Sequence, residues 1–315
     1  MSDARLIAAY AACRAIAKRE AKNFYYAFRV LPQHKSDAMC AVYAFMRKAD
    51  DLADDESMSI EARRDAMAAW TAEWRASRDG ATNDDVFLAL NDTQKRFGIS
   101  DELLEQLVAG TTLDLEPEPE GVRTLDLHDA HGCAVKMQIY TTFAGLHHYC
   151  YLVASVVGLV CIKIFGYNDR RAEQLAIDTG IAFQLTNILR DVREDAERGR
   201  MYISEDLFAE YGVEPQRVMA LIGGVIPGEK DLALMRAVEK HAQTMYLSGY
   251  ELIALLDKDA RPAMRVLVRI YHRLLERVAA DPGAVFLKRV SVPTREKLAI
   301  LAGGAVGSLK ARVLR

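Results

Sequence analysis

Apolar residues return at three- and four-residue steps through most of this chain, a rhythm that only packed helices can bury. Val42, Phe45, Met46, Ala49 and Leu52 fall on one helix face. Similar patterns over 3–19, 60–77, 84–97, 101–113, 142–165, 171–196, 230–257 and 261–279 predict further helices. Breakers are sparse, with 8 prolines and 19 glycines in 315 residues. They gather at 116–121, 223–228 and 281–283, too few and too short for a flexible linker. No alternating strand pattern and no fixed-period repeat stands out. The expectation is an all-α fold, with residues 1–315 forming a single domain.

Composition narrows the function. A chain that is 51% hydrophobic can build a large core, which excludes disorder. With 41 basic against 44 acidic residues there is no excess charge to attract nucleic acid. Five cysteines, odd in number and without a CxxC pair, fit reduced thiols in the cytoplasm better than a disulfide framework or a zinc site. The N-terminus lacks the apolar run of a secretion signal. The stretches Leu152–Ile162 and Leu298–Leu309 fall short of the ~20 residues that a membrane span needs. A cytoplasmic location follows, with peripheral contact at the inner face of the membrane left open.

Two acidic arrays suggest chemistry. At ~100° per residue, Tyr43, Arg47, Asp50 and Asp54 share a narrow stripe beside the apolar face of their helix, while Asp51 turns away. Carboxylates four residues apart repel, and near a helix C-terminus they also oppose the helix dipole. A cation would relieve both costs, and oxygen ligands suit magnesium. Alone, such a run is equally an exposed acidic helix end. The second array, Gln184, Asn187, Asp191 and Asp195, again forms one stripe beside an apolar face. Arg190, Arg193, Arg198 and Arg200 add fork-shaped donors for phosphate. Two facing carboxylate helices would hold magnesium ions that bind a diphosphate leaving group. No GxxxxGK[ST] loop offers another phosphate cradle. The segment around Tyr149–Leu159 is nearly uncharged and rich in small residues. It reads either as tight core packing or as the wall of an apolar tunnel, with Tyr149 as a polar group for proton transfer or cation stabilisation.

The stretches NFYYAFRVLP at 23–32, AVYAFMRKADDLADD at 41–55, YCYLVASVVGL at 149–159 and QLTNILRDVREDAERGRMY at 184–202 together resemble the squalene and phytoene synthase family. RPAMRVLVRIYHRLLERV at 261–278 adds to the resemblance, which runs from about Ala17 to about Arg289. It implies an isoprenoid-synthase helical bundle around a central cavity, and magnesium-dependent head-to-head joining of two prenyl diphosphates. It assigns Asp50 and Asp54 to a first metal set and Asn187, Asp191 and Asp195 to a second. It makes Arg47, Arg190, Arg200 and Tyr271 diphosphate contacts, Tyr149 a cavity tyrosine tied to proton transfer, and Tyr43 and Gln184 polar groups of the cavity wall. Glu20, Ala21 and Asn23 stand where relatives commonly carry His-Ser-x-Ser, and the connector from Glu116 to Thr141 looks long for the family.

The stretch YCYLVASVVGLVCIKIFGY looks closer to hopanoid-type presqualene and squalene synthases than to phytoene synthases. The expectation is therefore condensation of two farnesyl diphosphates to presqualene diphosphate. NADPH would be required only if the reaction runs on to squalene, and no GxGxxG motif marks a dinucleotide domain. The alternative is phytoene synthesis from two geranylgeranyl diphosphates. A non-catalytic helical scaffold for metals or lipids is the reading from another class.

Overall fold

The computed structural model describes residues 3–79, 82–116 and 120–313. Residues 117–119 of the connector, the side chain of Asn23 and the side chains of the Leu298–Leu309 stretch beyond 303 lie outside the described residues.

The predicted helices are present, and local signals delimit them. Helices α1 (Asp3–Glu20) and α2 (Lys22–Phe28) lead into α3 (Gln33–Ala53), which carries the first acidic array. Helix α4 (Ile60–Ser77) starts at Ser59, whose side chain accepts the Ala62 N–H. Helix α5 (Asp85–Phe97) is capped by Asp84 and stops at left-handed Gly98, and Ser100 caps α6 (Asp101–Thr112). These caps satisfy end groups that no helix can satisfy internally.

Two expectations need correction. The run 142–165 is not one regular helix. It is α7 (Phe143–Cys150), a π-helical turn (Tyr151–Ser155) and α8 (Val156–Phe165). Over Phe143–Phe165 the whole 23-residue run is long and apolar enough to match a membrane span, unlike the shorter stretch read from sequence. Its place explains its composition: it packs against α6 and α9 (Arg171–Glu197) and lines an internal cavity.

The connector, read as lacking strands, forms a hairpin of β1 (Val122–His128) and β2 (Ala134–Tyr140). Strand β3 (Arg200–Met201), just after α9, adds in parallel to β2. The alternation is real but short, with Leu127, Met137 and Ile139 buried between exposed or half-buried neighbours. At the tip, the Asp129 carboxylate accepts the N–H groups of His131 and Cys133, both at 2.8 Å. His128 therefore ends β1, and His131 belongs to the turn.

Short helices α10 (Glu205–Glu210) and α11 (Gln216–Ile222) lead to α12 (Glu229–Leu255), α13 (Arg261–Ala280) and α14 (Thr294–Val313). Helix α9 is central, packed along α12 and against α8 and the π turn. Gly180 allows that approach, because a Cβ there would lie 2.6 Å from the Ser155 Cα. Gly158 works the same way, passing 3.1 Å from the Ala176 carbonyl oxygen as measured to a Cβ position. All five cysteines are free thiols.

Candidate active site

A cavity of about 1370 Å³, open space at its mouth included, lies between α3, the π turn, α8, α9, α12 and α13. Its wall includes Met39 and Asp50 of α3, and Ala176 and Asn187 of α9. Each pair spans three helical turns, so the cavity runs about 16 Å down both helices. The deep part is apolar, with Phe165, Leu252 and Met264. Beneath it, buried Lys35 donates to the Phe165 carbonyl at 2.8 Å, Asp257 at 3.0 Å and Asp259 at 2.8 Å.

Polar groups collect near the C-terminal end of α3 and along the middle of α9. Tyr43, Arg47, Asp50, Gln184, Asn187 and Tyr271 all line this one cavity. The first stripe comes from the last turns of α3, and the second from the middle of α9, which runs on to Glu197. Arg47 pairs with Asp51 one turn on, and its buried Nε has no hydrogen-bond partner among the described residues. Asp54 sits apart from the wall. Helix α3 ends at Ala53, leaving Asp54 as an exposed cap whose N–H bonds to the Asp50 carbonyl. Tyr271 stacks on Phe183 at 4.3 Å between ring centres and lies 5.8 Å from Phe24. Burial pushes its hydroxyl up to about 12, against the opposing pull of Arg190.

One turn above Asn187, Asp191 accepts from Arg190 Nε at 2.8 Å and Arg289 Nε at 3.0 Å. Arg289 also reaches Glu194 at 3.4 Å. Asp195 and Arg200 share a small adjoining pocket with Tyr202. Burial, reinforced by Asp191 and opposed by Arg200 and Arg198, raises the Asp195 carboxyl to about 7. Tyr149 is not in the wall. It lies one turn before Val153, which is, and is packed beside Tyr140 and Tyr202.

Sequence reading passed over three participants. Arg289 lies far along the chain from Asp191, and nothing local marks it. Tyr202 sits inside the 184–202 motif, so its position was a usable signal. Tyr140 ends a strand that had not been anticipated.

The donor set suits magnesium. The Asn187 Oδ1 is buried without a hydrogen-bond partner among the described residues, and Asp195 carries an uncompensated desolvation cost. Among those residues, no three His, Cys, Asp or Glu side chains gather tightly enough to hold a metal alone.

The raised acid has a thermodynamic consequence. Asp195 is ordinarily ionised above 3.8, and in the fold only above about 7. The folded state binds the extra proton between those values, so its penalty grows as pH rises through them and is full above about 7. Asp195→Asn is expected to raise the melting temperature of the metal-free protein near pH ~8, with the gain shrinking towards pH ~5. A pH-independent change in thermal melts would contradict the assignment.

Fold and site define an all-α synthase, with an apolar cavity whose polar residues include Arg47, Asp50, Gln184 and Asn187, and with Asp191 one turn on from Asn187. The family model for squalene/phytoene synthase matches residues 17–296, and the chain belongs to that family. The 15-cis-phytoene synthase of Synechococcus elongatus is 31% identical over 99% of this chain and 96% of its own length. The phytoene synthase of Mycobacterium tuberculosis is 32% identical over 96% of this chain and 92% of its own. A crystal structure of a dehydrosqualene synthase superposes with a TM-score of 0.78 at 26% identity, covering 97% of this chain and 98% of that one. The squalene synthase HpnC from Alicyclobacillus acidocaldarius shares the fold, with a TM-score of 0.74 at 21% identity over 90% of this chain and 97% of its own. The protein is thus a prenyltransferase-type enzyme of head-to-head prenyl diphosphate condensation, and not a scaffold.

Proposed function

We propose that the enzyme condenses two geranylgeranyl diphosphates to phytoene, with magnesium as cofactor. The supporting observation is the whole-chain likeness, at 31% and 32% identity, to proteins named phytoene synthase. It favours the longer substrate over the two farnesyl diphosphates expected from the 149–167 segment.

One diphosphate ionises, and the other substrate's double bond attacks the allylic cation. Proton loss gives a cyclopropylcarbinyl diphosphate, which ionises again, rearranges and loses a second proton. Both quenching steps release protons, so no NADPH is consumed. Asp50, Asn187, Asp191 and Asp195, with Asp54 at the rim, would hold the magnesium, which neutralises diphosphate charge. Arg190 and Arg289, now paired with Asp191, supply forks that can turn to phosphate oxygens. The apolar cavity takes the prenyl chains and excludes water from the cation. The faces of Phe24, Phe183 and Tyr271 offer negative charge to that cation. Tyr43, Arg47 and Gln184 orient the diphosphate end, and Tyr149 serves proton transfer near it. Product release into a membrane by peripheral contact belongs to the same reading. Ile226, 84% exposed, and Leu287, 53% exposed, are candidates for that contact; sedimentation with phospholipid vesicles tests it.

A second reading uses two farnesyl diphosphates, favoured by the superposition on a dehydrosqualene synthase. Mass spectrometry of products from each diphosphate, with magnesium and with or without NADPH, separates the two. The expected result is phytoene from geranylgeranyl diphosphate, independent of NADPH. Presqualene diphosphate, squalene or dehydrosqualene from farnesyl diphosphate alone would overturn the chain length. No diphosphate release from either substrate would overturn the activity.

A further inference from the structure

The hairpin connector has no role in the cavity wall, yet it ends beside Tyr149. Tyr140 is the last residue of β2, and Tyr202 directly follows β3. Their rings enclose Tyr149 at centroid distances of 5.6 Å for Tyr140 and 5.0 Å for Tyr202, and stand 6.3 Å from each other. The Tyr149 hydroxyl donates to the Tyr202 hydroxyl at 3.2 Å.

The position of Tyr202 is set by the sheet. Gln138 pairs with Arg200 and Ile139 with Met201, and the Gln138 N–H bonds to the Gly199 carbonyl at 2.8 Å. Gly199 has φ +74°, and a Cβ there would lie 2.7 Å from the Lys136 carbonyl oxygen. Only glycine lets the chain leave α9 and drop into register on β2. The same register carries Arg200 to its place beside Asp195.

We infer that Tyr202, held by the β2–β3 register, is a positioning residue that orients the Tyr149 hydroxyl, one turn before Val153 of the cavity wall. The hydrogen bond to Tyr202 sets the direction in which the Tyr149 O–H points. Tyr140 contributes by stacking, which restricts how far either ring can turn. The hairpin is then a template for residues 199–202. The inference rests on the proposed role of Tyr149 in the reaction.

The test is a double-mutant cycle on Tyr149→Phe, Tyr202→Phe and the double variant, with geranylgeranyl or farnesyl diphosphate, whichever the wild type consumes, and magnesium. Tyr202→Phe keeps the stacked ring and removes one hydrogen bond. It should lower kcat roughly two- to tenfold with KM unchanged. The double variant should be no slower than Tyr149→Phe, because both changes remove one interaction. The ratio of cyclopropylcarbinyl diphosphate to final hydrocarbon should shift alike in all three. That ratio does not depend on the fraction of enzyme folded. A slow Tyr149→Phe with a wild-type Tyr202→Phe, or effects that multiply, would overturn the positioning role. A wild-type Tyr149→Phe would overturn the assignment of Tyr149 itself and this inference with it.

Discussion

Asp191→Ala is expected to reduce turnover by roughly a thousandfold or more, comparable with or beyond losing a preorganised group that stabilises transition-state charge. Asp191 is the carboxylate that two arginines share. It lies one turn above Asn187, and both Arg190 and Arg289 point at it. Its loss removes a proposed metal oxygen and leaves Arg190, whose side chain is only 20% exposed, without its partner. An unpaired buried charge is costly, by up to about 3 kcal/mol here, since Arg289 can keep Glu194. Asp191→Asn keeps the shape and an oxygen and should melt closer to wild type, yet remain nearly inactive. Steady-state diphosphate release and thermal melts on both variants check this. Normal turnover in either would remove Asp191 from the metal set.

Lys35→Met should be the most destabilising single change below the cavity. The Lys35 side chain is 7% exposed and holds the Phe165 carbonyl and two carboxylates. Methionine fits the space but leaves those acceptors without their donor. Removing one partner of a buried pair costs about 3–5 kcal/mol. Asp257 is 54% exposed and Asp259 34%, so solvent screening reduces this to about 2–3 kcal/mol. The melting temperature should fall by roughly 3–5 °C. Lys136→Met is the control: its pair with Asp126 spans 3.5 Å with both side chains mostly exposed, so little change is expected. Equal melts for the two variants would refute the cost assigned to the cavity floor. Because Lys35 does not line the cavity, turnover well below the melting temperature should persist.

The helices were legible because each records its own period. The stripe through Tyr43, Arg47 and Asp50 and the stripe through Gln184, Asn187 and Asp191 depend only on the angle between successive residues. They therefore survive into the structure almost unchanged. Asp54 shows the limit, since one residue past the helix end a periodic projection no longer says where a side chain points. The hairpin was missed for a related reason. Its alternation lasts two or three apolar residues per strand, with Lys136 and Gln138 between, and helical patterns elsewhere outweigh so short a signal.

By itself, the sequence determined an all-α synthase with two carboxylate stripes on separate helices and an uncharged segment of small residues between them. Only the tertiary structure decided that Tyr43, Arg47 and Asp50 of one stripe and Gln184 and Asn187 of the other line one cavity, that Arg289 completes the pairing of Asp191, and that a three-stranded sheet brings Tyr202 to Tyr149. The physical reason is that periodicity orders side chains around one axis. The level at which two axes meet, and which distant polar groups satisfy each other there, depends on close packing such as Gly180 against Ser155 and on hydrogen bonds between residues far apart in the chain.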